Sequence, residues 1–375
     1  MVSSFLLLPM NPNPSPSPFR ARQDRLRALM ETHRVPLMLL THRANIRYLT
    51  GFTGSPGIAL LGLRTGSLWV DPRYTLQAQE QAEGVEVIEE KEGILKGVAN
   101  WLRKNGVREA TFEASTLTCA QYDLIRKEAG EGLRLTPAGD LVEELRIVKD
   151  RGEIEAIRSA GQVTAEVFAE LLPYVRPGAK EQDLAAEVEY RMRKKGAEGA
   201  AFETIVASGP RSAYPHARPS SKALHECELV IFDLGAILGG YAADMTRTVF
   251  LGEPTRRLHR LYSAVLKAQE GAIWLVHDSA FAGDIDAAAR RILAKHRLAR
   301  YFTHSTGHGV GLEIHERPRL GKGETTSLRS GSVVTAEPGV YLEGFGGIRI
   351  EDTVLIGPES PEILTPASKD CWVIS

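Results

Sequence analysis

The stretch "LVIFDLGAILGGYAADMTRTVF", residues 229–250, decides how the second half of the chain folds. Apolar residues run up to Asp233, a glycine-rich step follows, and a second apolar run resumes after Asp244. The pattern reads as two buried antiparallel strands joined by a tight turn. With the turn at Leu238-Gly239, Asp233 falls directly opposite Asp244 on one face. Side chains paired in that way lie about 4.5–5.5 Å apart, and like charges there are destabilising. Protonation of one acid, a hydrogen-bonded cap, or a cation held between them would offset the repulsion.

Working outward, the same combination of apolar strand and terminal polar group recurs. "YFTHSTGHGVGLEIHERP" carries His304, His308 and His315 among glycines, without the HExxH spacing of a zincin helix. "GSVVTAEPGVY" puts Glu337 at the end of an apolar strand, before Pro338-Gly339. "GGIRIEDTVLI" puts Glu351 in another, where strand alternation sends Arg349 and Glu351 to one face and Ile348 and Ile350 to the other. A buried salt bridge from Arg349 would account for Glu351 alone, but not for the remaining acids. Four carboxylates and one imidazole at strand ends are what a pair of divalent first-row metals requires, and Mn, Co, Fe or Zn suit such oxygen-rich ligands.

The first half of the chain is of a different kind. It alternates helices with strands: a helix, the buried strand "PLMLL" followed by a loop, two strands in "GIALLGLRTGSLWVDPRY", a helix from "TLQAQEQA" and the strand "VEVIEE". That is an α/β unit of about 120 residues. "LRIVKDRGEIEAIRSAGQVTAEVFAELLPYVRPG" then predicts a long amphipathic helix with Ile154, Ile157 and Ala160 on its inner face, closed by Pro177-Gly178. A second helix is expected over residues 180–195 and two more within 258–298, so the second domain reads as α+β. The expected division is a proline-rich, disordered tail over 1–20, an amino-terminal domain over 21–144 and a second domain over 145–375.

Composition narrows the function. The 375 residues are 43% hydrophobic, enough for a sizeable core, and 46 Lys+Arg against 47 Asp+Glu leave a formal net charge of -1. No global field would draw nucleic acid or an anionic membrane. "MVSSFLLLPM" has too short an apolar run for a signal sequence, and no later window approaches a membrane span. Cys119, Cys227 and Cys371 form no CxxC pair, which favours a reducing, cytoplasmic setting. Neither GxGxxG nor GxSxG occurs, so dinucleotide binding and a serine nucleophile lack support.

In order along the chain, "DLGA", "YAADMTRT", "STGHGVG", "EIHE", "AEPGVY" and "GIRIED" resemble the pita-bread metallopeptidases, in their Xaa-Pro aminopeptidase and prolidase branch. "NIRYLTGFTGS" and "WVDPRY" resemble the creatinase-type amino-terminal domain of that branch, and the likeness covers nearly the whole chain. It implies two divalent metal ions (Mn, Zn or Co) held by Asp233, Asp244, His308, Glu337 and Glu351. Asp244 and Glu351 would bridge them, with Asp233 on one and His308 and Glu337 on the other.

The implied reaction is hydrolysis of the bond between an amino-terminal residue and proline by a hydroxide shared between the ions, a bond that proline's missing amide hydrogen makes difficult for ordinary peptidases. Glu337 would carry the proton to the leaving nitrogen, His315 would donate to the substrate carbonyl, and His216 would sit over the proline. His304, Tyr341 and Arg349 would line that pocket and support the metal shell. In prolidases of the family an arginine about fourteen residues before the first metal-binding glutamate meets the substrate carboxylate. Here that offset is Gly323, with Lys322 beside it and Arg329 at another offset, so an aminopeptidase is expected ahead of a dipeptidase.

The resemblance further implies a homodimer, with Asp71, Arg73 and Tyr74 shaping the entrance to a partner's site. Creatinase would lack the carboxylate set and methionine aminopeptidase the first domain. A peptide-binding module that had lost its ligands is the reading from another class, and here all five ligand positions are filled.

Overall fold

The computed structural model describes residues 17–370, 373 and 374. The chain forms two compact units, one ending at Leu145 and the other beginning at Arg146. In the first, Leu37–Leu40 lies inside a six-stranded mixed sheet. Its order is Glu86–Glu89, Gly66–Val70, Ile58–Gly62, Leu37–Leu40, Glu109–Glu113, Arg134–Ala138. Leu37–Leu40 is buried throughout, as its unbroken apolar run requires.

Two expectations for this unit need correction. The tail was expected to reach residue 20, but a helix spans Pro18–Thr32, with proline in its first turn, where a missing N–H is harmless. Residues 1–16, the rest of that tail, lie outside the described residues. The loop expected after "PLMLL" is the helix Arg43–Thr50, which buries Ile46, Leu49 and Thr50 at helical spacing and ends at Gly51 in the left-handed conformation. Asp71 and Arg73 form an ion pair at 2.6 Å, and the Tyr74 hydroxyl meets Ser55 Oγ at 2.9 Å.

In the second unit two helix pairs cover strands. Arg151–Leu171 and Glu181–Lys194 share one apolar core with Leu229–Leu234 and Met245–Leu251. Arg256–Trp274 and Ala282–Lys295 share another with Val333–Ala336, Gly339–Leu342 and Gly346–Arg349. The first of these helices opens with a capping box: Glu153 N donates to Asp150 Oδ1 at 3.0 Å and Asp150 N to Glu153 Oε2 at 2.9 Å. Within it, a Cβ on Gly161 would come within 2.1 Å of the Leu364 carbonyl, so close backbone approach outweighs the usual helix cost of glycine.

The quoted hairpin folds with a register two residues away from the expected one. Asp233 pairs with Thr246, and the tip pairs Leu238 with Tyr241 around Gly239-Gly240. Both glycines have positive φ, 57° and 82°, which a two-residue turn of this hand needs and Leu238 would resist. A shift of two preserves the faces, so Asp233 still points with Thr246 toward the interior. Asp244 sits in the break between Tyr241–Ala242 and Met245–Leu251 rather than opposite Asp233.

Candidate metal centre

Each expected ligand lies where a buried strand ends or breaks. Asp233 is in Leu229–Leu234, Asp244 precedes Met245–Leu251, His308 is the middle of Gly307–Gly309, Glu337 follows Val333–Ala336, and Glu351 stands between Gly346–Arg349 and Asp352–Leu355. His308 Nε2 lies 3.6 Å from both Asp244 Oδ2 and Glu337 Oε1. Ligand atoms of Asp244, His308 and Glu351 lie within 4.8 Å of one another. Asp233, Asp244 and Glu351 are buried.

The hydrogen bonds fix the state of the imidazole. His308 Nδ1 lies 3.0 Å from the Gly309 carbonyl, so Nδ1 carries the proton and the lone pair of Nε2 faces the two carboxylates. Burial pulls the His308 pKa down to about 4, against the hydrogen bond to Gly309, so the ring is neutral at pH 7. A neutral nitrogen facing carboxylates has nothing to donate to them, and a cation reconciles the two.

Electrostatics points the same way. Burial first, then Glu351, Asp233 and Glu337, push the Asp244 carboxyl well above the usual range. Burial and the neighbouring Glu337 and Asp233 do the same to Glu351. Glu337 rises to about 8, chiefly through burial, with Arg349 opposing and Asp233 adding to the shift. Among the described residues, Asp233 Oδ1, Asp244 Oδ1 and Glu351 Oε1 are buried oxygens with no hydrogen-bond donor. Such orphaned acceptors are costly in a low-dielectric interior, and those of Asp244 and Glu351, grouped with His308, together with that of Asp233 fit hard divalent cations.

The salt bridge considered for Glu351 is directed elsewhere. Arg349 Nη2 donates to Asp233 Oδ2 at 2.6 Å, while Glu351 Oε2 accepts from Thr246 Oγ1 at 2.6 Å. Arg349 Nη1 also donates to the Tyr341 hydroxyl at 2.8 Å, and that hydroxyl lies 2.8 Å from His304 Nε2. His304 Nδ1 faces the Ser305 carbonyl at 2.8 Å, so Tyr341 donates to an unprotonated Nε2. Burial and Arg349 hold the His304 pKa at about 4, in keeping with that neutral ring.

His315 packs edge-on against His308 with ring centroids 4.4 Å apart, and His216 is near enough to both His304 and His315 to repel their protonated forms. His216 and His315 are the exposed members of the group.

Sequence reasoning missed the threonines that hold this shell. Thr246 Oγ1 links Glu351 to Arg349 Nε, Thr335 Oγ1 accepts from His308 N, and Thr353 Oγ1 donates to the Asp244 carbonyl at 2.8 Å. Their signal was a hydroxyl inside an otherwise apolar strand, in "MTRTVF", "VVTAEP" and "EDTVLI".

A second group, His42, Glu113 and Glu143, also brings ligand atoms within 4.8 Å. Its chemistry differs, because Glu113 already accepts from Thr41 N at 2.6 Å, His42 N at 2.7 Å and Asn45 Nδ2 at 2.7 Å.

The model for metallopeptidase family M24 matches residues 155–358, the span that carries all five expected ligands. The chain belongs to metallopeptidase family M24. The model for the creatinase/prolidase amino-terminal domain matches residues 22–148. The M24 chain is 34% identical to an Xaa-Pro dipeptidase of Pyrococcus horikoshii over 91% of its length and 95% of the relative's. Among solved structures it resembles an Xaa-Pro dipeptidase from Bacillus anthracis, with TM-score 0.91 and 36% identity, covering 95% of this chain and 100% of that one. It also resembles an X-Pro aminopeptidase from Thermotoga maritima, with TM-score 0.87 and 35% identity, covering 94% and 99%. Membership of M24 makes the protein a metallopeptidase and implies divalent metal ions. No helix among the described residues is long and apolar enough to cross a membrane.

Proposed function

We propose that this M24 protein hydrolyses the bond between an amino-terminal residue and proline, with Xaa-Pro dipeptides as its first substrates. The observation that carries the reading is the pair of orphaned oxygens on Asp244 and Glu351, residues grouped with the unprotonated His308, with a third on nearby Asp233, in a chain whose close relatives are named for this bond. Asp233, Asp244, His308, Glu337 and Glu351 would hold two divalent cations, of which Mn, Zn and Co all suit the donors. Such ions, when bound, neutralise the carboxylates, make water acidic enough to attack, and polarise a carbonyl.

The chain's own groups do the rest. Glu337, beside His308, takes a proton from the attacking water and returns it to the departing proline nitrogen. His315 donates to the substrate oxygen as negative charge develops there. His216 closes over the proline ring. Arg349 holds Asp233 and Tyr341 in place, and Tyr341 in turn orients His304.

A second reading is favoured by one feature. Gly323 stands at the offset where prolidases present a carboxylate-binding arginine, which leaves room for longer Xaa-Pro peptides. The relatives named for dipeptides weigh the other way, so the sequence-based preference for an aminopeptidase becomes the second reading. Hydrolysis of Ala-Pro against Ala-Pro-Ala, after chelation and with each metal returned, tests both. Faster turnover of Ala-Pro is expected; cleavage of the tripeptide alone would reverse the order, and undiminished activity after complete chelation would end the metal mechanism. A homodimer in the cytoplasm is the expected working state, tested by light scattering against the 41.1 kDa chain mass.

A further inference from the structure

One fully buried carboxylate in the second unit takes no part in the acidic cluster. Glu181 opens the helix Glu181–Lys194 and is 0% exposed. Its Oε1 accepts from Ser208 N and Ser208 Oγ, both at 2.8 Å. Its Oε2 accepts from Ser220 Oγ at 2.7 Å, Ser220 N at 3.1 Å and Arg211 Nε at 3.0 Å. Burial raises this carboxyl, but the bonds from Ser220 and Ser208 outweigh it, and its pKa is lowered overall.

Those partners are the two ends of one loop. Residues 208–220 leave the strand Ile205–Ser208 and return to the start of the helix, where Gln182 N donates to the Ser220 carbonyl at 3.0 Å. His216 is at the far side of that loop, and Arg349 Nη1 donates to the Pro215 carbonyl beside it at 3.1 Å. Ser212 Oγ accepts from Gly347 N at 2.8 Å, a further tie to the strand carrying Arg349. Glu181 closes the loop at its base, and Arg349 and Gly347 hold its far side.

We propose that Glu181 is a positioning residue for His216: by accepting from both ends of the 208–220 loop it fixes where the imidazole stands over the substrate's proline. The proposal rests on the hydrolytic reading of the site, in which His216 meets the substrate. The donor count gives it a precise handle. All five partners donate, so a glutamine amide in either orientation sets an NH₂ against backbone and side-chain donors. Glu181→Gln therefore releases one end of the loop while leaving size and shape nearly unchanged.

Displacement of a substrate-contacting group by about an ångström costs on the order of 100-fold in rate, so Glu181→Gln is expected to lose about 10- to 100-fold in kcat/KM for Ala-Pro. In a His216→Ala background the same change is expected to lose nothing further, because the group being positioned is gone. Metal affinity, measured by calorimetry, is expected to stay at the wild-type value in both backgrounds. Losses that multiply in the double variant, or a parallel loss of metal, would overturn the proposal. Ser220→Ala, which removes one donor, serves as the milder variant where Glu181→Gln fails to fold; a several-fold loss, again absent without His216, is expected.

The position of His216 is also readable without turnover. With histidine labelled at its ring carbons, the resonance missing from His216→Ala is expected to shift and broaden in Glu181→Gln. An unchanged resonance would overturn the proposal whatever the substrate. Failure of the wild-type protein to cleave any Xaa-Pro peptide would overturn the hydrolytic reading instead.

Discussion

Two groups of buried carboxylates in the second unit are handled in opposite ways. Glu316 is buried beside Arg146 and Lys149, with Arg146 Nη2 at 2.5 Å from its Oε1 and Lys149 Nζ at 3.1 Å from its Oε2. Burial alone would raise this carboxyl, but Lys149 and Arg146 bring it below the ordinary range. Around His308 the balance is reversed: Asp233, Asp244, Glu337 and Glu351 face Arg349, and Asp244, Glu337 and Glu351 are all raised. The lesson is one of charge provenance. Where the chain supplies its own cations, a buried acid is an internal ion pair; where acids outnumber them and keep oxygens without donors, the missing positive charge comes from outside.

Substitutions should therefore separate the two groups by sign. Asp244→Asn takes away one of the proposed ligand carboxylates and, on that proposal, several kcal/mol of transition-state stabilisation, so kcat/KM for Ala-Pro is expected to fall about a thousandfold or more. In chelated protein at pH 8 the same change relieves repulsion and is expected to raise the melting temperature. A lower melting temperature there would break the comparison. Glu316→Gln takes the carboxylate from the buried Lys149 and leaves Arg146 to its second partner, Glu313, so it is expected to cost about 3 kcal/mol in urea denaturation, with or without metal. Stability within experimental error of the wild type would show that the Glu316 pair is not the internal bridge described here.

The smallest effect is the pH dependence, and its sign differs between the groups. With their folded pKa values raised, Asp244, Glu337 and Glu351 hold protons that the unfolded chain has released between about pH 4.5 and 8, so metal-free protein should lose stability as pH rises through that window. Glu316, with its pKa lowered, contributes stability above its unfolded value that is lost as pH falls through the folded one. A melting temperature of chelated protein that climbs from pH 5.5 to pH 8 would contradict the assignment. Saturating metal should flatten the decline, since cations replace the protons.

The contrast also explains what the sequence could and could not disclose. Asp233, Asp244, His308, Glu337 and Glu351 were legible because an acid or imidazole at the end of an apolar strand is conspicuous in one dimension. Their pairing was less so. The turn at Gly239-Gly240 moved the register by two, a matter of which residues tolerate positive φ, and only the even size of the shift kept Asp233 on the inner face. Glu181 and Glu316 were passed over for another reason. An acid in the first turn of a helix is ordinary, and one following His315 in "EIHERP" carries no periodic signal. What distinguishes them, the convergence of Ser208, Arg211 and Ser220 on one and of Arg146 and Lys149 on the other, depends on residues distant in sequence. The helix Arg43–Thr50 escaped because eight residues give too few repeats of an apolar face to stand out from a loop.

Calorimetric titration of Mn²⁺ into chelator-stripped protein, with Ala-Pro hydrolysis followed at each addition, tests the external-cation account most directly. The account predicts two equivalents bound per chain, release of protons from Asp244, Glu337 and Glu351 as they bind, activity that rises with occupancy, and loss of the tight binding in Asp244→Asn. Binding without proton release, or full hydrolysis by the stripped protein, would contradict it.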